Sequence, residues 1–320
     1  MSNDVKVKTQ FKGVFILLIT AFVWGTSFIA QRLGTDEGVQ AFTFQGIRTL
    51  LGALVLLPFI LIRDKASAKK MTDEQLQERK KTDKKTLIYG SILGIVLCAA
   101  TDLQQFSFYW VESAGKIAFI TAMYMFFVPI IGLFFGKRVP LITWICVIMG
   151  FIGLYFLCFK SGEGFGSIGK GEICAFLCAL FFCLQILLIE KFAPDCDGIK
   201  LSCVQFAVSG TISFILMWIF EKPQIAALKQ ALAPILYSGI MSCGVAYTFQ
   251  IIGQKYCEAT IASLLMCMES VFAVLAEVLL SVFGIFGLSR VITTRELIGC
   301  IIMFAAIILS QLADMIKEKK

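Results

Sequence analysis

The chain contains no histidine. That absence excludes a Cys/His zinc site and removes the usual base of a serine protease, and no pair of facing aspartates replaces it. Charge is scarce too: only 16% of residues are charged, against 58% hydrophobic and a mean hydropathy of +0.84. Such a composition excludes a soluble globular domain. No working phosphate loop is present. Gly164-Phe165-Gly166-Ser167-Ile168-Gly169 fits the dinucleotide pattern, and Lys170 extends it, but Gly171 stands where a Ser or Thr would hold magnesium. No ATP, no metal and no other cofactor is expected, and the chain is not expected to be an enzyme. Cysteine is plentiful, at twelve, but none falls in a connection expected outside the membrane, so the thiols are packing residues rather than a disulfide framework.

What is present is apolar sequence in membrane-length runs. A span needs about 20 residues, and ten fit: 13–31, 39–62, 86–109, 114–136, 139–159, 170–190, 200–220, 232–254, 259–286 and 294–315. The first lacks a small-residue cleavage site after it and is expected to be retained. The last five spans echo the first five. Lys12-Gly13 aligns on Lys170-Gly171, Trp24 on Phe182, Gln45 on Gln205, Tyr89 on Tyr237 and Gln105 on Gln250. In that alignment Arg48 meets Val208, Lys116 meets Ile261 and Glu269 meets Val128. An odd number of spans per copy makes the second copy enter from the opposite face. The expected fold is an all-α integral membrane protein of ten transmembrane helices, built as two inverted five-helix repeats (1–160 and 161–320).

Orientation follows from Lys and Arg, which accumulate in cytoplasmic connections. With the N-terminus inside, twenty of the 29 basic residues lie on the inner side, nine of them between spans two and three. Eight lie outside, and Arg48 lies within a span. Both termini are therefore expected in the cytoplasm, in a bacterial inner membrane. The net charge of +7 is an orientation signal, and no nucleic-acid partner is expected. The long connection from Arg63 to Lys85 reads as a solvated loop with a short helix near Thr72–Arg79. A small-residue stripe, Gly90, Gly94 and Cys98, prepares the third span for close helix packing and leads to Asp102.

Ionisable groups inside spans are costly, by about 2.5–3.5 kcal/mol on insertion scales, and face a cavity or a partner. Arg48 lies mid-span and cannot shed its charge. It is open to two readings: an anchor for an anionic group, or one half of a buried ion pair with Asp102 or Glu269. Glu269 is open to two as well, a proton-coupling carboxylate or a packing one. Glu277 lies near the outer end of its span, and Lys116 enters the fourth span from outside. Trp24, Phe28, Gln105, Tyr124, Tyr247 and Gln250 add aromatic and amide groups that must find partners within the membrane. Pro129 is the candidate hinge of the fourth span.

Several of these residues fall in motifs. Trp24-Gly25-Thr26-Ser27-Phe28, Arg48, Ser113-Ala114-Gly115-Lys116, Gly244-Val245-Ala246-Tyr247, Ala262-Ser263-Leu264-Leu265 and Glu269-Ser270-Val271-Phe272 occur in this order. Together they resemble the EamA-like family of the drug/metabolite transporter superfamily, over essentially the whole chain. The resemblance implies a ten-helix carrier exporting small metabolites, notably amino acids, with Trp24, Arg48, Lys116, Tyr124, Tyr247 and Glu269 at a central cavity. Two departures stand out: Ser270 occupies a position where many members carry proline, and Glu277–Arg290 lacks the family's usual Leu-Gly-Glu ending. The function expected is secondary transport of a small polar metabolite outward by alternating access, the partners being that solute and membrane lipid. A membrane-embedded flippase for a lipid or lipid-linked substrate is the alternative. The candidate site comprises Trp24, Arg48, Gln105, Lys116, Tyr124, Tyr247, Gln250 and Glu269, with Asp102 and Glu269 as coupling or ion-pair residues.

Overall fold

The computed structural model describes residues 3–111, 114–136, 139–159, 168–283 and 292–318. All regular elements among them are helical. α1 (Asn3–Asp36), α2 (Ala41–Ala68) and α3 (Asp73–Ser107) are continuous. The fourth span divides into α4 (Ala114–Thr121) and α5 (Tyr124–Phe134). α6 (Leu141–Cys158), α7 (Lys170–Phe192) and α8 (Gly198–Phe220) follow unbroken, then the short α9 (Ile225–Gln230). The eighth span is composite: α10 (Leu232–Tyr237), a π-helix (Ser238–Tyr247) and α11 (Thr248–Gly253). The ninth divides into α12 (Ala259–Met266) and α13 (Glu269–Val282), and α14 (Thr294–Glu318) closes the chain. Among the described residues nine helical stretches are long and apolar enough to cross a membrane, and the first nine expected spans each fall on one. The tenth expected span coincides with α14. Most of the Gly164–Gly169 pattern and residues 284–291 lie outside the described residues.

The polarity of the molecule is inverted relative to a soluble protein. Phe15 and Phe59 are each 66% exposed and Trp218 73%, whereas Gln45 and Arg48 are buried. Apolar rings face lipid as well as the core, and the polar groups are gathered inside because each intramembrane polar group must find its partner there. The Arg63–Lys85 connection differs from expectation. α2 runs on to Ala68, and α3 starts at Asp73 behind a capping box in which Thr72 and Gln75 exchange side-chain-to-backbone hydrogen bonds. Reciprocal capping satisfies two orphan N–H groups and lets a charged segment stay helical outside the membrane.

α2 and α8 form the most extensive helix pair among the described residues. They touch so closely at Gly210 that a Cβ there would fall 2.8 Å from the backbone nitrogen of Leu50. Both ends of the pair are clasped. At the start of α2 the Glu221 carboxylate, just past α8, accepts from the backbone N–H groups of Phe42 (2.8 Å) and Thr43 (2.7 Å). At the opposite end Arg63 pairs with Asp197 at 2.8 Å, and Lys200 pairs with Asp64 at 2.7 Å and Asp83 at 2.6 Å, with Arg79 closing on Asp64. Around this pair α3 packs on α8 and α2 on the π-helix, α1 on α13 and α7 on α4 and α5, and α6 on α14.

The two broken spans share one hydrogen-bond pattern. Met123 N–H bonds Ile120 O and Met125 N–H bonds Ala122 O, each three residues back instead of four. Met268 N–H bonds Leu265 O and Ser270 N–H bonds Cys267 O in the same way. The Cys267 thiol reaches the Ala122 carbonyl at 3.7 Å, so each break is sealed against the other. Pro129 is not at the break: it lies inside α5, past the 122–123 interruption. The second break contains no proline at all, and the two interruptions pack against each other. Counted from the breaks, Glu269 occupies the place of Tyr124, four residues from the Val128 with which the alignment of the halves paired it, and at the same 145-residue interval as Gln105 and Gln250.

Candidate functional site

The breaks aim two side chains at one point. Tyr124 opens α5 and Glu269 opens α13, and the Tyr124 hydroxyl donates to Glu269 Oε1 at 3.4 Å. Gly25 permits the placement, because a Cβ at that residue would fall 2.5 Å from the Glu269 carbonyl oxygen. α1 therefore lies directly against the start of α13, with Trp24 beside the junction. The Trp24 ring meets Tyr247 with centroids 4.6 Å apart, and Tyr247 in turn meets Phe206 edge-on. Tyr247 ends the π-helix, whose widened turn leaves the Ala246 carbonyl free to accept from Thr20 at 3.2 Å. Widened turns of this kind recur at functional sites.

These groups enclose a cavity lined by Trp24, Ser27, Gln31, Arg48, Tyr124 and Glu269, with Phe28, Gln104, Thr121, Phe182, Ser242 and Tyr247 completing the wall. Its free space, about 20 Å³, is enough for a water molecule or two. The chemistry of the wall is unusual for so enclosed a space. Arg48 is 1% exposed, its Nε donates to Gln45 Oε1 at 2.6 Å, and its guanidinium lies 5.8 Å from the Phe44 ring centre. Its Nη1 has no protein partner, nor do Trp24 Nε1, Ser27 Oγ and Gln31 Oε1, all four buried. An unsatisfied buried polar atom costs about 1–3 kcal/mol. Four of them line this one cavity. Arg48 makes no ion pair with any described carboxylate, so neither ion-pair reading holds in this conformation.

The remaining sequence candidates lie elsewhere. Gln105 is buried between helices, accepting from Gln45 at 3.2 Å and donating to Thr35 Oγ1 at 2.8 Å. Gln250 exchanges hydrogen bonds with Gln185 at 3.0 and 3.3 Å. Lys116 pairs with Glu172 at 2.5 Å, linking the starts of α4 and α7. Asp102 accepts from Ser213 at 3.0 Å on each oxygen, and from the Cys98 thiol. Ser27, Gln31, Gln104, Thr121, Phe182 and Ser242 join the site without having been singled out by the sequence. Ser27 and Gln31 follow Trp24 at i+3 and i+7, one helical face, and Phe182 is its partner in the alignment; those signals were available in the sequence. Gln104 was not distinguishable from Gln105 without the rotation of α3.

A bundle of membrane-length helices, two of them broken and meeting at a buried polar cavity, defines a membrane transporter. The chain belongs to the EamA-like transporter family, whose model matches residues 11–159 and again 169–312. It is similar to an uncharacterized transporter of Archaeoglobus fulgidus, with 24% identity covering 92% of this chain and 84% of that one. It also resembles the uncharacterized transporter YoaV of Bacillus subtilis, at 20% identity over 92% and 94% of the two chains. A solved crystal structure shares the fold with a TM-score of 0.71 at 17% identity, over 94% of this chain and 96% of the other.

Proposed function

We propose that this protein is a secondary carrier that exports a small zwitterionic metabolite of amino-acid type across the bacterial inner membrane by alternating access. The observation that carries the reading is the set of partnerless polar atoms on the cavity wall. Arg48 Nη1 and Trp24 Nε1 are donors suited to a carboxylate, whereas Gln31 Oε1 and the Glu269 carboxylate are acceptors suited to an ammonium. The free space between these side chains is small, so loading a solute requires the surrounding helices to move apart.

The same reading includes ten transmembrane helices in two inverted repeats, 1–160 and 161–320, with both termini cytoplasmic. Three observations support it. The family model matches the chain twice. Helix contacts come in exchanged pairs, α1 with α13 and α7 with α4 and α5, α2 with the π-helix and α8 with α3. Contacts between equivalents also recur at one sequence interval: Ala122 with Cys267 and Tyr124 with Glu269, as expected where a two-fold axis passes.

Flux of the twenty L-amino acids through proteoliposomes tests the reading. Transport of at least one is expected, with Arg48→Gln reducing it more than tenfold while the protein still inserts. Lipid scrambling without amino-acid flux would refute it and favour the flippase.

A further inference from the structure

Two opposite charges in this bundle are adjacent in register and do not pair. The Gln45–Gln105 hydrogen bond, 3.2 Å long, fixes α2 against the antiparallel α3. Three residues further along α2 is Arg48, and three residues back along α3 is Asp102, so both lie at one depth. Both are buried, at 1% and 6% exposure. Neither satisfies the other. Arg48 is held by the neutral Gln45 with Nη1 left open, and Asp102 is held by the neutral Ser213 and Cys98. The ionisable groups that act on Asp102 are Cys98 on its own helix, Arg48 from α2 and Glu221 at the end of α8; none belongs to α7, which packs on the other side of α3.

We propose that Asp102 is the proton site of this carrier, and that its carboxylate and the anionic group of the bound solute are alternative partners of Arg48. The proposal rests on the reading of the cavity as a binding site for an anionic or zwitterionic solute. Charge balance drives the exchange, because a net charge buried in the bundle is expensive. With solute bound, its carboxylate neutralises Arg48 and Asp102 carries a proton. When the solute leaves, Asp102 releases that proton to water and Arg48 turns to the carboxylate so formed. Counted over Arg48, Asp102 and the solute's anionic group alone, the charge is zero in both states, and one proton accompanies each solute. Export then runs down the solute's own gradient, and an inward proton gradient opposes it.

The test begins without solute. Reconstituted full-length protein is titrated by pH-difference infrared spectroscopy. The wild type is expected to show a carboxylic-acid C=O band that Asp102→Asn deletes and Glu269→Gln leaves in place, with Arg48→Met displacing its midpoint. Ser213→Ala, which removes the hydroxyl bonded to both Asp102 oxygens, is expected to shift the band's frequency, and it serves if Asp102→Asn fails to insert. A titrating C=O band whose full amplitude is retained in Asp102→Asn, or that is indifferent to both Arg48→Met and Ser213→Ala, overturns the proposal. Calorimetry with the twenty L-amino acids in buffers of different ionisation enthalpy then counts protons. About one taken up per solute bound is expected, and none in Asp102→Asn; equal uptake in both overturns it. If no amino acid binds, the reading of the cavity fails, and the infrared result still decides the proton site.

Discussion

Replacing Gln45 by glutamate should disable the cavity from within. The side chains match in shape, and Gln45 Oε1 already lies 2.6 Å from Arg48 Nε, so the substitution adds a charge and no volume, while removing the hydrogen bond that Gln45 Nε2 donates to Gln105 Oε1. An ionised carboxylate at that position gives Arg48 a permanent internal partner with which any arriving carboxylate must compete. Two unit charges about 4 Å apart interact by about 4 kcal/mol at an effective dielectric near 20. Measured coupling of close charge pairs starts at about 1.5 kcal/mol, and each ~1.4 kcal/mol is a factor of ten. Solute affinity should therefore fall between about tenfold and a thousandfold. Gln45→Leu, which removes the hydrogen bond without adding charge, should lose less. The assay is amino-acid binding to purified protein by calorimetry, with circular dichroism to establish that helix content is retained. A folded Gln45→Glu protein that binds as tightly as the wild type would refute the assignment of Arg48 as the anionic anchor.

The crossing of α2 and α8 yields a stability prediction. Gly210→Ala places a methyl group 2.8 Å from the Leu50 backbone nitrogen, which cannot rotate away, so a loss of about 1–3 kcal/mol is expected and should appear as a lower melting temperature in detergent. Reduction should matter little. No disulfide joins any of the cysteines among the described residues, so adding a reductant should leave the melting temperature unchanged, and a clear drop would show a disulfide that this conformation does not contain.

The spans were legible because they depend on composition over about twenty residues, a property that local accidents do not disturb. The breaks were not. Proline drew the hinge to 129, yet the interruption lies at 122–123 and is copied at 267–268, where no proline occurs, and the two meet through the Cys267–Ala122 contact between residues far apart in the chain. Ionisable residues inside spans were visible from cost alone, which singled out Arg48 and Glu269. Partner choice was not visible. That Arg48 would rest on Gln45, one turn away, and leave Asp102 to a serine depends on helix rotation, and a shift of one residue turns a side chain by about 100°. The same rotation decided between Gln104 and Gln105.

The clasped pair of α2 and α8 has a mechanical consequence. A pair of rods tied together at both tips and pinched at the middle cannot spread like scissors, so it behaves as a fulcrum and the surrounding helices as levers. α8 has 23 residues, which at 1.5 Å each makes arms of roughly 17 Å on either side of the crossing. A tilt of about 15° in helices resting on that fulcrum moves their tips by roughly 4 Å, outward at one face and inward at the other. Under the alternating access proposed above, one rotation about this pivot would open one mouth while shutting its opposite.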